Sequence, residues 1–180
     1  MTDRMPVGGI AFLLSQLGGQ SSRLWTARLA GLGMEPREVM LFRFVARSEG
    51  SSQRAVAAAI GLPDSRIVAI VDRLEERGWI ERRASAADRR TRTLHVTGNG
   101  RRALEQIATV SAEHEADLTR GLEAAEAAAL LDLLTRIAAI QGLTRGVHPG
   151  FADPTAEPAA SGDGGGGGGG GDSPGARRGR

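Results

Sequence analysis

The sequence predicts a mainly α-helical chain with one small β-hairpin, in the order α-α-α-α-β-β-α-α. Three observations support this. Apolar residues recur at helical spacing through most of residues 9–142, and the pattern changes to alternation only between about residues 79 and 96. From residue 143 the composition turns to glycine, proline and alanine. With 180 residues, 41% of them hydrophobic, the chain is long enough for one domain core.

Apolar spacing and end signals define the first four helices. The second begins with Pro36 in its first turn and runs to about Arg47. Ser51 or Ser52 caps a short third helix, which closes at Gly61. The first helix has an i, i+3, i+4, i+7 face made of Ile10, Leu13, Leu14, Leu17, Ser21, Leu24 and Arg28. The fourth starts at Pro63-Asp64, ends at Arg77-Gly78 and has an apolar stripe of Ile67, Ile70, Val71 and Leu74.

The helical period stops after the fourth helix. Residues 79–83 and 91–96 read as two short strands joined by a turn, which makes a hairpin with a basic tip. Thr97 then caps a long helix, and a last helix follows Gly121. Residues 1–8 are expected to be a flexible N-terminus. Residues 143–180, with eight consecutive glycines at 164–171, are expected to be a disordered tail because glycine loses the most backbone entropy on ordering.

The composition excludes several classes of protein. Without cysteine there is no disulfide scaffold, zinc ribbon, iron–sulfur cluster or thiol catalysis, and the three histidines lack metal-pair spacing. No nucleophile and base assemble into a catalytic site, and no glycine-rich loop follows a strand. We therefore expect no enzyme activity, metal or cofactor. No apolar run is long enough for a transmembrane helix, so we expect a cytoplasmic protein without a membrane partner.

Charge is more informative by position than in total. The sequence pI near 10.7 reflects the absence of lysine, tyrosine and cysteine, because the formal net charge is only +2. Residues 37–102 contain 14 arginines and 8 acidic residues, net +6, whereas residues 103–143 contain 2 and 7, net −5. The positive part coincides with the third and fourth helices and the hairpin. A helix, turn, second helix and hairpin predict a winged helix-turn-helix that binds DNA.

The middle of the chain resembles the multiple antibiotic resistance regulator (MarR) family. The segment IVDRLEERGWIERRASAADRRTRTLHVTGNGRRAL has the family's LVDRLEERG, ERR, DxR and LTxxG motifs in register, and the resemblance covers roughly residues 8–142. It implies a DNA-binding core at about residues 35–100. It also implies a homodimer formed by the first and the last two helices, which reads a pseudo-palindromic operator in double-stranded DNA. Such a protein is a repressor, or less often an activator, that a small ligand releases.

The resemblance also suggests DNA-contacting residues. Arg90 matches the wing arginine that enters the minor groove, Asp88 would hold the tip, and Arg89 and Arg92 would contact phosphate. The family often has Thr-Val-Thr-Arg on the recognition helix, where this chain has Arg66-Ile67-Val68-Ala69. Val68 and Ala69 replace the usual polar pair, so the family's usual base contacts do not carry over directly. The outer side of that helix would present Ser65, Arg66, Ala69 and Arg73. Ser52, Gln53 and Arg54 either clamp a phosphate or simply cap the third helix.

An effector site is expected where the dimerisation helices meet the winged helix. Trp25, Phe42 and Phe44 lie on the right helices for an aromatic ligand, although aromatic residues at helical spacing more often pack in a core. Arg23 or Arg43 could receive a ligand carboxylate. Two alternatives remain. The winged helix could serve as a protein-interaction module without sequence-specific DNA binding, or the chain could be a ligand-binding or catalytic protein built on a dimerisation winged helix.

Overall fold

Six helices and one hairpin form from the segments whose periodicity predicts them. The computed structural model describes residues 8–85 and 90–151. Within those ranges the elements are α1 (Ile10–Ala30), α2 (Pro36–Arg47), α3 (Gln53–Ile60), α4 (Asp64–Glu76), β1 (Ile80–Ala84), β2 (Arg92–Val96), α5 (Gly98–Leu118) and α6 (Ala124–Ile140), followed by a 3-10 turn at Pro149–Phe151. The predicted fold class and order of elements are confirmed.

The hairpin is antiparallel, with Ile80 opposite Val96 and Ala84 opposite Arg92. Both strands begin one residue later than predicted. Trp79 is not in β1 because its backbone N–H donates to the carbonyl of Leu74 (2.9 Å) and closes the end of α4. On its other edge β2 meets the residues before α3: the N–H of Leu94 donates to the carbonyl of Ser51 (3.0 Å). These bonds hold the hairpin beside the helix-turn-helix.

The hydrophobic core lies beneath α2, α3, α4 and the hairpin. Phe42 of α2 is fully buried and stacks on Trp79, with ring centroids 5.7 Å apart. Ile107 connects α5 to this core. Gly100 allows the closest approach, because a Cβ there would lie 2.0 Å from the carbonyl oxygen of Trp79. The core therefore joins the helix-turn-helix, the hairpin and the first turns of α5 into one packed unit.

The long helices outside this unit leave most of their apolar surface uncovered. Leu29 is the buried residue of α1, and α6 buries none of its residues. Fifteen of the sixteen exposed large apolar residues in the described ranges lie on α1, at the end of α5, on α6 or in the links beside α6. Such a surface is typical of a helix face that packs against another chain. No helix in the described ranges is long and apolar enough to cross a membrane.

The chain turns back after α6. Residues 144–151, which the composition assigns to the disordered tail, form part of the described structure, and Gly146 and His148 contact α2. The N–H of His148 donates to Sδ of Met40 (3.3 Å), and Val147 is half-buried against the core. Apolar contact by Val147 is the physical reason that this short stretch packs although its neighbours are glycine and proline. Residues 1–7 and 152–180 lie outside the described residues.

Candidate nucleic-acid interface and ligand cleft

The outer face of α4 is exposed, as a recognition helix requires. Pro63 sets the extended backbone before the helix, and Asp64 places a negative charge in its first turn. Ile67, Ile70, Val71 and Leu74 are buried against the core. Ser65, Arg66 and Ala69 lie on the opposite, exposed side. This side can enter a groove because burial of the apolar stripe fixes how the helix is turned.

Arg73 has a partner that the sequence did not suggest. Its Nε donates to Oε1 of Glu38 on α2 (2.6 Å), and the carboxylate of Glu38 is almost fully buried, at 3% exposure. The other carboxylate oxygen of Glu38 accepts from the backbone N–H of Glu35 (2.8 Å). Arg73 therefore connects α4 to α2. Its side chain is still 41% exposed and could also reach DNA, so the predicted DNA contact stays a prediction. One feature of the sequence could have indicated that Glu38 is buried and needs a partner: it shares a helix face with the apolar residues Leu41, Phe42 and Val45.

The three predicted residues at the start of α3 have different surroundings. Ser52 caps the helix, because its Oγ accepts from the N–H of Ala55 (3.2 Å). Gln53 accepts a hydrogen bond from Arg82 of β1 (3.3 Å) through Oε1. Arg54 is exposed. Capping is thus observed for Ser52, whereas phosphate contacts by these residues remain predictions.

Arg82 joins the hairpin to the recognition helix, and the sequence reasoning missed this role. Its guanidinium donates to the carboxylates of Asp72 and Glu75 on α4, and its backbone N–H donates to Glu75 (3.2 Å). Burial disfavours the charged form of Arg82, but the hydrogen bonds and charges of the two carboxylates outweigh it, so the pKa of Arg82 lies above its ordinary value. Asp72 of α4 is thus paired with the hairpin. The network fixes the position of the hairpin relative to α4.

The wing carries exposed arginines at its described positions. Arg90 and Arg92 are exposed, and Arg92 lies at the end of β2 nearest the tip. Arg83 on β1 pairs with Glu81 on the same strand. The predicted residues Asp88 and Arg89 lie outside the described residues. Within residues 8–85 and 90–151, the exposed face of α4 and these arginines form the candidate DNA-binding surface.

A cleft of about 600 Å³ lies beside the winged helix, between α1, α2, α5 and the segment after α6. Its lining combines apolar, aromatic and basic side chains. The helices contribute Gly18, Ser21, Ser22, Trp25, Thr26, Pro36, Val39, Met40, Arg43, Arg47, Ser111, His114 and Glu115, and the last segment contributes Gly146, Val147, His148 and Pro149. The volume is in the range of clefts that hold small molecules.

Arg43 places a charged guanidinium in the cleft. It is half-buried and donates to Oγ of Ser111 (2.5 Å) and more weakly to the carbonyl of Ile107 (3.5 Å). Burial, and secondly the positive charge of Arg47, lower the pKa of the Arg43 guanidinium from its ordinary value. An anion in the cleft would offset both effects, because a nearby negative charge favours the charged guanidinium. Of the two arginines expected to meet a ligand carboxylate, Arg43 lines the cleft, whereas Arg23 does not and donates to Gln20 (2.6 Å).

Of the three aromatic residues considered for the effector site, one lines the cleft and two pack in or against the core. Trp25 lines the cleft, with its ring centroid 5.5 Å from that of His114. Nε2 of His114 lies 3.0 Å from Oγ of Ser21, and its Nδ1 is a buried atom without a hydrogen-bond partner. Phe42 is core, and Phe44 packs against it. No local pattern in the sequence points to His114 as a cleft residue, because α1 and α5 meet only in the folded chain. Within the described ranges no three His, Asp or Glu side chains are placed to hold a metal.

Comparison with known proteins agrees with this geometry. A model of the MarR family matches residues 32–91. A putative transcriptional regulatory protein for the hcr operon of Thauera aromatica is 36% identical over 105 residues, a match that covers 58% of this chain and 63% of that relative, just under two thirds of its length.

Solved structures match over a longer region. A MarR-family transcriptional regulator from Rhodococcus sp. RHA1 is 32% identical, with a TM-score of 0.60, over 72% of this chain and 91% of that one. CouR from Rhodococcus jostii RHA1, bound to p-coumaroyl-CoA, is 33% identical over the same shares, with a TM-score of 0.57. The repressor CouR bound to a 23-mer DNA duplex is 27% identical, with a TM-score of 0.63, over 72% of this chain and 92% of that one. The chain belongs to the MarR family of transcriptional regulators.

Proposed function

We propose that this chain is a homodimeric repressor that binds a pseudo-palindromic operator and is released by an aromatic anion. The observation that carries the proposal is the exposed outer face of α4, with Arg66 and Ser65, next to a hairpin that carries exposed Arg90 and Arg92. A recognition helix in the major groove and a basic wing reaching the minor groove use such a surface. The DNA-bound structure of CouR supports the same use of this fold.

The uncovered helices support dimerisation. Leu130, Leu134 and Ile137 recur on one face of α6, and α1 contributes a second exposed row through Leu13, Leu17 and other residues. A monomer would leave both rows in water, at a cost of about 25 cal/mol per Å² of apolar surface. Two-fold symmetry would place two copies of α4 in successive major grooves, about 10–10.5 base pairs apart.

The effector is assigned to the cleft between α1, α2 and α5. Trp25 offers an aromatic surface, and Arg43 offers a guanidinium that burial has partly deprived of water. This combination favours an aromatic carboxylate or a thioester that carries anionic groups elsewhere. CouR, 33% identical to this chain, has been solved with p-coumaroyl-CoA bound, and this supports the ligand class.

DNA binding is tested by gel shifts on the DNA upstream of the gene. Arg90→Ala and Arg66→Ala should each weaken binding by about 1–3 kcal/mol, which is roughly 5–150-fold. Arg136→Ala is the matched control, because it removes an exposed arginine on α6, where it faces Asp132. The affinity of the unmodified protein should also fall steeply between about 50 and 200 mM salt. Affinity independent of salt, or equal losses in all three variants, would contradict DNA reading by α4 and the wing.

Dimerisation is tested by sedimentation of Leu130→Glu/Leu134→Glu, which places two charges on one face of α6. We expect a monomer that binds DNA poorly, while Arg136→Ala remains a dimer. A dimer of unchanged affinity in the double variant would place the interface elsewhere. Release is tested by adding aromatic carboxylates and their coenzyme A thioesters to the gel shift, with and without Arg43→Met. The proposal fails if none of these anions releases DNA.

A further inference from the structure

Residues 144–149, here called the strap, follow α6 in the chain, and four of them line the ligand cleft. Three contacts hold the strap there. The N–H of His148 donates to Sδ of Met40, Val147 is half-buried against the core, and Gly146 lies against the guanidinium of Arg47. A Cβ on Gly146 would be 2.8 Å from that guanidinium, and its φ of +76° is strained for other residues. These contacts give the strap a defined position against α2.

We propose that the strap is the fourth wall of the effector site, and that His148 and the Arg47 guanidinium beside it select which aromatic anions bind. The inference rests on the proposed effector function and adds a specificity-determining segment to it. The helices α1, α2 and α5 form three sides of the cleft, and Gly146, Val147, His148 and Pro149 form the remaining one. A ligand that fills the cleft would therefore contact the strap or displace it.

The charges around the strap favour an anion. Arg43 and Arg47 are one turn apart on α2 and both line the cleft, and Glu115 is the one carboxylate among its lining residues in the described ranges. The N–H of Gly150 donates to Nδ1 of His148 (3.1 Å), and this bond orients the imidazole within the strap. An acidic group between these side chains would receive charge-assisted hydrogen bonds.

The strap also ends beside the recognition helix. Gly150, the next residue, lines a second, small cleft together with Arg66, Ala69 and Arg73 of α4. Only three residues lie between Gly146 in the effector cleft and Gly150 at α4. A ligand that fixes the strap can thus act on the surface that reads DNA, and selection of the ligand and its release effect share one segment.

The test uses calorimetric titration of the full chain with 1-naphthoate, with uncharged 1-naphthamide as the neutral comparison. His148→Ala should weaken naphthoate binding about tenfold, the loss of one hydrogen bond to a charged group. Gly146→Val, which disturbs the position of the strap without removing a polar group, should weaken it by a similar factor. Arg145→Ala is the matched control, because Arg145 lies in the strap but does not line the cleft; its affinity should stay within twofold. Thermal melts confirm that each variant is folded.

The outcomes separate the two proposals. Wild-type binding of naphthoate that Arg43→Met weakens supports the effector cleft, whatever the strap variants do. If His148→Ala and Gly146→Val then bind as the wild type does, the strap is not a wall of the site. Tighter binding in both variants also overturns the inference, because it shows that the strap occupies the cleft and competes with the ligand. Absence of naphthoate binding to the wild type overturns the strap inference, whereas the proposed function is decided by the gel shift with the full set of aromatic anions.

Discussion

Replacing Arg73 by methionine should destabilise the protein through the carboxylate that the substitution leaves behind. Glu38 is 3% exposed and would keep the 2.8 Å hydrogen bond from the Glu35 backbone but lose the 2.6 Å bond from Arg73. Breaking a fully buried ion pair costs about 3–5 kcal/mol. Since the Arg73 side chain is 41% exposed, water can reach part of the site, and we expect a loss of about 2 kcal/mol.

The assay is thermal and urea unfolding of the full chain at one fixed protein concentration, because the stability of a dimer depends on concentration. A loss of this size lowers Tm by about 4–8 °C. Glu38→Gln and the double variant complete a cycle that isolates the coupling between the two side chains. Arg37→Met is the control, because Arg37 pairs with Glu35 on the surface, at 46% and 54% exposure, and should change stability by less than about 0.5 kcal/mol. Equal effects of Arg73→Met and Arg37→Met, or a coupling near zero, would refute the reasoning.

Three further substitutions test the packing around the helix-turn-helix, each by urea unfolding. Gly100→Ala should cost about 3 kcal/mol or more, because the new Cβ would meet the carbonyl of Trp79 at 2.0 Å. The control Gly98→Ala, with open space around the new Cβ, should leave stability unchanged or raise it. Equal effects of the two substitutions would contradict the close approach at Gly100. Ser52→Ala should cost about 1 kcal/mol as a lost helix cap, and an unchanged midpoint would show that the cap is unimportant. Arg82→Met should cost about 1–2 kcal/mol by releasing the hairpin from α4, and no loss would mean that the β-ladder alone holds the hairpin.

Local signals predicted the elements, because each depends on residues close in the chain. The i, i+3, i+4 spacing of Ile67, Ile70, Val71 and Leu74 correctly placed the buried stripe of α4. The cap at Ser52, one of two serines considered, is confirmed in the same way, since the side chain binds an amide three residues on. The predicted starts of the two strands are each wrong by one residue. Whether Trp79 pairs in the strand or closes α4 depends on which backbone partner lies nearer in the folded chain.

By itself the sequence determined the order of the helices and the hairpin, the basic middle and acidic end of the chain, and the motifs that the family shares. Periodicity, capping and spacing express all three within short windows. The tertiary structure alone decided which arginines are structural. Arg73 and Glu38 are 35 residues apart, and Arg43 and Ser111 are 68 apart. Because all 23 basic residues of this chain are arginine, composition cannot show which of them are structural and which are functional. Only folding brings one guanidinium to a buried carboxylate, another to the cleft between α1, α2 and α5, and others to the surface proposed to bind DNA.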